Sequence, residues 1–321
     1  MPPFAMAKID NSVALLFPGQ GSQYPGMAMD FARDYPAARS LLDEADEVLG
    51  YSLTRIMSGE YKDELNRTTH TQPAVFVHSM AILKILKEVE PLSPIMAAGH
   101  SLGEYTALCA AGVMDFEDAL SIIRVRAEGM EGSQPAGTCG MAALIGISRD
   151  QAKELIERFR GDLVLEAANF NAPDQVVISG HIENLNRVLE YLKNERRIRA
   201  VMLPVSSAFH THLMQPAREA LRIKLEGVVM KPPVFSVISN ANAQPYPMSD
   251  NDIKQLLVDQ VVSPVLWEDS VRTMLNSGVG LFVEIGPGKV LTGLLRRIDR
   301  AAQAINISGV EDFRSFVESS R

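Results

Sequence analysis

The chain is 321 residues long, 46% hydrophobic and 22% charged, a balance that fits a globular enzyme with one large domain carrying an insertion, or with two domains. A net charge of −8 argues against broad nucleic-acid binding, which needs an excess of Lys and Arg facing the phosphates. Two cysteines, Cys109 and Cys139, make no disulfide framework, residues 1–8 lack the basic region and apolar run of a secretory signal, and no apolar span reaches the roughly 18 residues of a membrane helix. The expectation is a cytoplasmic protein with neither nucleic acid nor membrane among its partners.

Residues 13–17, Val-Ala-Leu-Leu-Phe, have the uninterrupted apolar pattern of a buried strand and run into Pro18-Gly19-Gln20-Gly21-Ser22-Gln23. That loop matches neither G-x-G-x-x-G nor G-x-x-x-x-G-K-[ST], so a nucleotide site is weakly indicated. It can instead bring backbone N–H groups and a glutamine to the mouth of a site, in an oxyanion-hole position if its strand neighbours the strand that carries a nucleophile. From about 27 to 90 the periodicity is helical. Ala37, Leu41, Leu42 and Ala45 share one face, and Val75, Ile82, Leu83 and Leu86 share another, in a helix predicted to start at Thr71-Gln72-Pro73 with proline in its first turn. Gln72 fits a polar cap there.

After the apolar run 95–98 comes Gly99-His100-Ser101-Leu102-Gly103, a G-x-S-x-G sequence that passes directly into the helical stretch 104–111. A strand turning through two glycines into a helix is the nucleophile elbow of serine acyl-transfer enzymes. The turn strains the serine backbone and leaves its hydroxyl exposed beside the N–H groups of the helix start. A plain glycine-rich connection can yield the same pentapeptide. The next helix, 116–131, carries Arg124 and Arg126 beside an apolar face, where spacing alone equally fits Arg126 paired to Glu128 or to solvent.

Residues 137–205 change pattern. Strands at 141–147, 163–167, 175–179 and 200–205 are predicted with helices at 150–160 and 182–193, the β-α-β-β-α-β order of a ferredoxin-like unit. The fold class is therefore α/β, with an α/β-hydrolase-like large domain (1–136 and 206–321) and an inserted ferredoxin-like small subdomain (137–205), the cleft between them being the expected substrate site. In the last third, 234–238 is a strand ending in Ser239-Asn240, 253–262 is helical, and the strand 281–285 ends in Gly286-Pro287-Gly288-Lys289. That glycine turn opens a helix at 290–297 and could hold an anion, or be a simple connection.

A serine nucleophile needs a base, and histidine titrates in the useful range. His70, His78 and His181 fall in helices or at caps, and His100 is the variable residue of the elbow. The remaining two lie in Ala208-Phe209-His210-Thr211-His212, just past the last strand of the insertion at the edge of the cleft. These residues do not by themselves choose between His210 and His212.

Six motifs in order then carry a resemblance: Phe17-Pro18-Gly19-Gln20-Gly21-Ser22-Gln23, Thr71-Gln72-Pro73-Ala74, the elbow, Asn169-Phe170-Asn171 with Gln175-Val176-Val177-Ile178-Ser179-Gly180, Phe209-His210, and Glu284-Ile285-Gly286-Pro287-Gly288-Lys289-Val290-Leu291. Spanning residues 13–297, they resemble the malonyl-CoA:acyl-carrier-protein transacylases. The resemblance implies transfer of a malonyl group from malonyl-CoA to the phosphopantetheine thiol of acyl carrier protein through a malonyl-Ser101 intermediate, in fatty-acid or polyketide synthesis, with no metal and no redox cofactor. It implies His210 rather than His212 as the base, oriented by a backbone carbonyl near Gln260 instead of an acid. It further implies an oxyanion hole from the backbone N–H groups of Gln20 and Leu102, Arg126 as the partner of the substrate's free carboxylate, and Gln72 and Phe209 as substrate-binding residues. Phe209 and Leu102 resemble the malonyl-type members; bulk at 209 would crowd a 2-methyl group.

Carrier proteins are acidic, so Lys193, Arg196, Arg197 and Arg199 form a candidate docking patch, although such a cluster also fits a solvated face. Two rival functions are an acyl-carrier-protein hydrolase on the same scaffold, against which Arg126 argues, and a non-catalytic interaction protein that keeps the fold.

Overall fold

The computed structural model describes residues 12–320 apart from 62, 91 and 194, so the amino-terminal stretch read above for a signal lies outside the described residues. The strands are β1 (Val13–Phe17), β2 (Met96–Gly99), β3 (Cys139–Ile145), β4 (Leu165–Ala172), β5 (Gln175–His181), β6 (Arg199–Met202), β7 (Ser236–Ile238), β8 (Leu281–Ile285) and β9 (Gln303–Ile307). They form a five-stranded sheet in the order β7-β2-β1-β8-β9, every neighbouring pair parallel, and a four-stranded antiparallel sheet in the order β4-β5-β3-β6.

Parallel strands need crossover helices, and these bury both faces of the sheet. The all-apolar β1 satisfies that demand at the centre: Val13, Leu15 and Phe17 join the core on one face, while Ala14 and Leu16 join Trp267, Phe282 and Leu295 on the other. The long helix Thr68–Val89 belongs to the first face, with Val75, Ile82 and Leu86 buried in it.

The small sheet has the split β-α-β arrangement expected from its periodicity, with helices Arg149–Phe159 and Ile182–Leu192 as its connections. The first helix starts at a capping box between Ser148 and Gln151. Ala142, Leu144, Val176 and Ile178 face these helices, whereas Met141, Ala143, Ala168 and Val177 join the core of the large domain. The small sheet is thus bound to the large domain through β3, β4 and β5 on one face. Strand β4 also pairs beyond its own sheet: Phe170 N–H donates to Val265 O at 2.9 Å, and Val265 N–H donates to Ala168 O at 2.8 Å.

Three local expectations are corrected. The helix bearing Gln72 starts at Thr68, so Pro73 lies inside it and Gln72 is a buried interior residue, not a cap. Arg67 O accepts from the N–H groups of His70 and Thr71, and the Thr71 hydroxyl bonds Leu65 O, which closes a turn ahead of the proline. At the glycine turn after β8, the anion at the helix start is the chain's own Glu284. Its carboxylate accepts from Leu291 N–H at 2.9 Å, Thr292 N–H at 2.8 Å and the Thr292 hydroxyl at 2.6 Å. Finally, the chain continues past the last predicted helix with edge strand β9 and helix Val310–Ser320. Among the described residues no helix is long and apolar enough to cross a membrane, and both cysteines are free and buried.

Candidate active site

Ser101 stands between the carboxyl end of β2 and the helix Gly103–Ala110, with φ +51°, a conformation that costs a non-glycine residue roughly 1–3 kcal/mol. Two glycines make the turn possible. A Cβ on Gly103 would lie 2.0 Å from Phe17 O, and one on Gly99 would lie 1.9 Å from the Gly103 carbonyl carbon. The same close approach brings the loop after β1 against the elbow. There, among the described residues, the backbone N–H groups of Gln20 and Leu102 have no acceptor within the chain, while the Gln20 side chain donates to Thr68 Oγ1 at 3.2 Å.

His210 also has positive φ, +60°, and its Nε2 lies 2.8 Å from Ser101 Oγ. Its Nδ1 faces the carbonyls of Gln260 at 3.0 Å and Ser263 at 3.2 Å. Both are acceptors only, so the ring proton belongs on Nδ1 and Nε2 is free to accept the serine proton. Burial, reinforced by the Arg126 charge, pushes the His210 pKa down to about 3 and keeps the imidazole neutral. His212 points elsewhere: it is exposed and pairs with Glu166 of β4.

Arg126, on the helix Phe116–Gly132, is fully buried. Its guanidinium donates to Gln72 Oε1 at 2.7 Å, Gln260 Oε1 at 3.0 Å and Ser101 Oγ at 2.9 Å, and lies over the Tyr105 ring at 5.2 Å. No carboxylate bonds it among the described residues. A buried guanidinium held only by neutral partners has the geometry to accept a bidentate anion.

Residues 14–310 match the family described as acyl transferase domain. The chain belongs to the acyl transferase family. Among curated relatives, the malonyl CoA-acyl carrier protein transacylase of Bacillus subtilis is 40% identical over 96% of this chain and 97% of its own. The Haemophilus influenzae protein of the same name is 40% identical over 95% of this chain and 98% of its own. Of solved structures, the malonyl-CoA:acyl carrier protein transacylase of Xanthomonas oryzae superposes with a TM-score of 0.93 at 35% identity, covering 97% of this chain and 98% of that one. A malonyl-transacylase solved in complex with its type II PKS acyl-carrier protein superposes with a TM-score of 0.92 at 37% identity, covering 95% of this chain and 99% of that one.

In this acyl transferase the fold therefore brings Ser101, His210, Gln260, Arg126 and Gln72 into one hydrogen-bonded cluster, with Leu102 next to Ser101 in the chain and Gln20 on a loop so close to the elbow that a Cβ on Gly19 would lie 2.4 Å from His100 O. Phe209 is buried in the large hydrophobic core immediately before His210. Sequence reasoning missed the polar residues beneath the cluster. Asn240, at the end of β7, accepts from Ser101 N–H at 2.7 Å and donates to Gly99 O at 2.8 Å, so it braces both sides of the elbow. Glu104, wholly buried, accepts from Gln260 Nε2 at 2.8 Å, Asn240 N–H at 3.2 Å and the Tyr246 hydroxyl. His100 Nε2 meets Asn171 Oδ1 of β4 at 2.8 Å, tying the acyl transferase elbow to the small sheet.

Proposed function

We propose that this acyl transferase moves a malonyl group from malonyl-CoA to the phosphopantetheine thiol of acyl carrier protein, with Ser101 as nucleophile and His210 as general base. The observation that carries the reading is the Arg126 guanidinium 2.9 Å from Ser101 Oγ: a buried cation beside a nucleophile selects an acyl group that bears a second carboxylate. The relatives named above support the same donor and acceptor.

In the first half-reaction His210 Nε2 takes the Ser101 proton as Oγ attacks the thioester carbonyl. The tetrahedral oxyanion is met by the Gln20 and Leu102 N–H groups. The C–S bond breaks, the imidazolium returns its proton to the CoA sulfur, and malonyl-Ser101 remains. As Ser101 Oγ becomes an ester, the Arg126 NH2 group is released to the malonyl carboxylate, with Gln72 holding the other side of the guanidinium. The second half-reaction runs the same steps in reverse order with the carrier's thiol. The carbonyls of Gln260 and Ser263 stabilise the imidazolium as it forms, in the place an acid takes in other triads. Every proton is accounted for between serine, histidine and thiol, so we infer that neither metal nor redox cofactor is needed.

For the carrier we infer docking at the exposed arginines 196, 197 and 199, beside and on edge strand β6; Lys193 is already paired to Glu190. Two buried, free cysteines and the absence of a membrane-length helix among the described residues support a reducing, cytoplasmic setting. We place the domain limits at 136/137 and 205/206, where the chain leaves and re-enters the large domain.

The test is intact-mass analysis after brief exposure to malonyl-CoA, methylmalonyl-CoA or acetyl-CoA, with Ser101→Ala as control. A malonyl adduct that is lost in the variant and discharged onto added carrier protein is expected. Release of free malonate before any thiol is supplied overturns the transferase in favour of a hydrolase, and a dominant acetyl adduct overturns the role of Arg126.

A further inference from the structure

We infer that Glu104 is a positioning residue for the substrate-carboxylate site: through Gln260 it dictates which end of an amide faces Arg126. The inference rests on the malonyl-transfer reading.

The Gln260 amide is placed between two kinds of neighbour. Its Nε2 donates to Glu104 Oε2 at 2.8 Å and to Ser101 O at 2.7 Å, and its Oε1 accepts from Arg126 at 3.0 Å. A carboxylate can only accept, so an ionised Glu104 forces the NH2 end of Gln260 toward itself and the oxygen toward the guanidinium. Turning the amide over would set oxygen against two acceptors and NH2 against a cation. Glu104 is in turn held by the Tyr246 hydroxyl on Oε1 and the Asn240 N–H on Oε2, so the reference end of the relay is fixed from the far side.

The arrangement also keeps a carboxylate off Arg126. Glu104 balances the buried guanidinium through a neutral amide instead of by contact, which leaves the cation available to a carboxylate that arrives with substrate. The groups facing Glu104 are Asn240 and Tyr246 from the segment after β7, Gln260 at the end of the helix Asp250–Gln260, Arg126 across the site, and Tyr105 next to it in the chain. Burial outweighs their donors and raises the Glu104 pKa to about 7. A protonated Glu104 can accept from the NH2 end through its carbonyl oxygen or donate its O–H to the amide oxygen, so the orientation of Gln260 loosens as pH falls through neutrality. His210, pushed down to about 3, stays neutral over that interval, which separates the two titrations.

The experiment measures acylation of the full chain by malonyl-CoA and, separately, by acetyl-CoA, which lacks the second carboxylate, between about pH 5.5 and 8.5. For Glu104→Gln the malonyl-CoA kcat/KM is expected to fall about tenfold or more, chiefly through KM, while the slower acetyl-CoA reaction changes by less than about twofold. In the wild type, malonyl-CoA KM rises on acidification through about pH 7 and acetyl-CoA KM does not; in the variant that dependence disappears. Equal losses on both substrates, or an unchanged malonyl-CoA KM, overturn the inference even where the wild type loads malonyl normally. If the variant does not fold, the wild-type profiles decide: a malonyl-CoA KM that is flat across neutrality overturns it. A wild type that takes up no malonyl overturns the transferase reading itself.

Discussion

The two halves of the site are held in different ways. Ser101 and His210 are placed by backbone: both sit at positive φ, one in a glycine-walled turn and the other against two main-chain carbonyls. Arg126 is placed by side chains, through Gln72, Gln260 and, at one remove, Glu104. On the proposed reading, backbone strain places the acyl-transfer residues and leaves little latitude, since changes there disturb the fold. On the proposed reading, side-chain amides set the choice of acyl group, and they can be altered one at a time. The division predicts that mutations in the first half cost stability and all activity together, while mutations in the second separate substrates.

The largest effect is expected from Gly103→Ala. A methyl 2.0 Å from Phe17 O forces β1 and the elbow apart, costing about 3 kcal/mol or more and abolishing acylation by every thioester; chemical unfolding and intact mass check both. Arg126→Ala breaks the other half. Malonyl-CoA acylation should fall roughly 10²–10³-fold while acetyl-CoA acylation is retained and the thermal midpoint moves by only a few degrees, so parallel loss on both substrates would erase the comparison. Asn240→Ala, at the border, removes the brace on Ser101 N–H and Gly99 O, and should lower kcat about tenfold for both substrates with little change in KM.

The smallest effect lies outside the site. His78 is buried against Ser308 O with its pKa pushed down to about 4, so the unfolded chain binds a proton near pH 6.5 that the folded chain refuses. Its share of stability, roughly 3 kcal/mol, is complete above pH 6.5 and is lost as pH falls toward 4. Thermal midpoints across that range should decline less steeply in His78→Gln.

Features that repeat along the chain were legible in it. The apolar β1, the G-x-S-x-G turn and the β-α-β-β-α-β alternation of the small sheet depend on neighbours in sequence, and they lie where periodicity puts them within a few residues. Edge strand β9 has only exposed or partly buried residues before Ile307, so its pattern is too weak to read. Long-range polar contacts leave no local trace. Glu104 looks like a first-turn acid at a helix start, yet its partners lie 136, 142 and 156 positions away. His210 and His212 differ by two positions in sequence and separate only when the turn at His210 sends one ring inward and the other to Glu166.

Strand β4 gives the inserted segment a mechanical meaning. One end of it grips the elbow through Asn171 and His100, and its middle is stitched to Val265, two positions beyond the carbonyl of Ser263 that holds the imidazole. The small sheet is therefore a strut spanning Ser101 and His210. Replacing it by a short linker would loosen the spacing of those two side chains, and a force applied to its outer face would be felt at both.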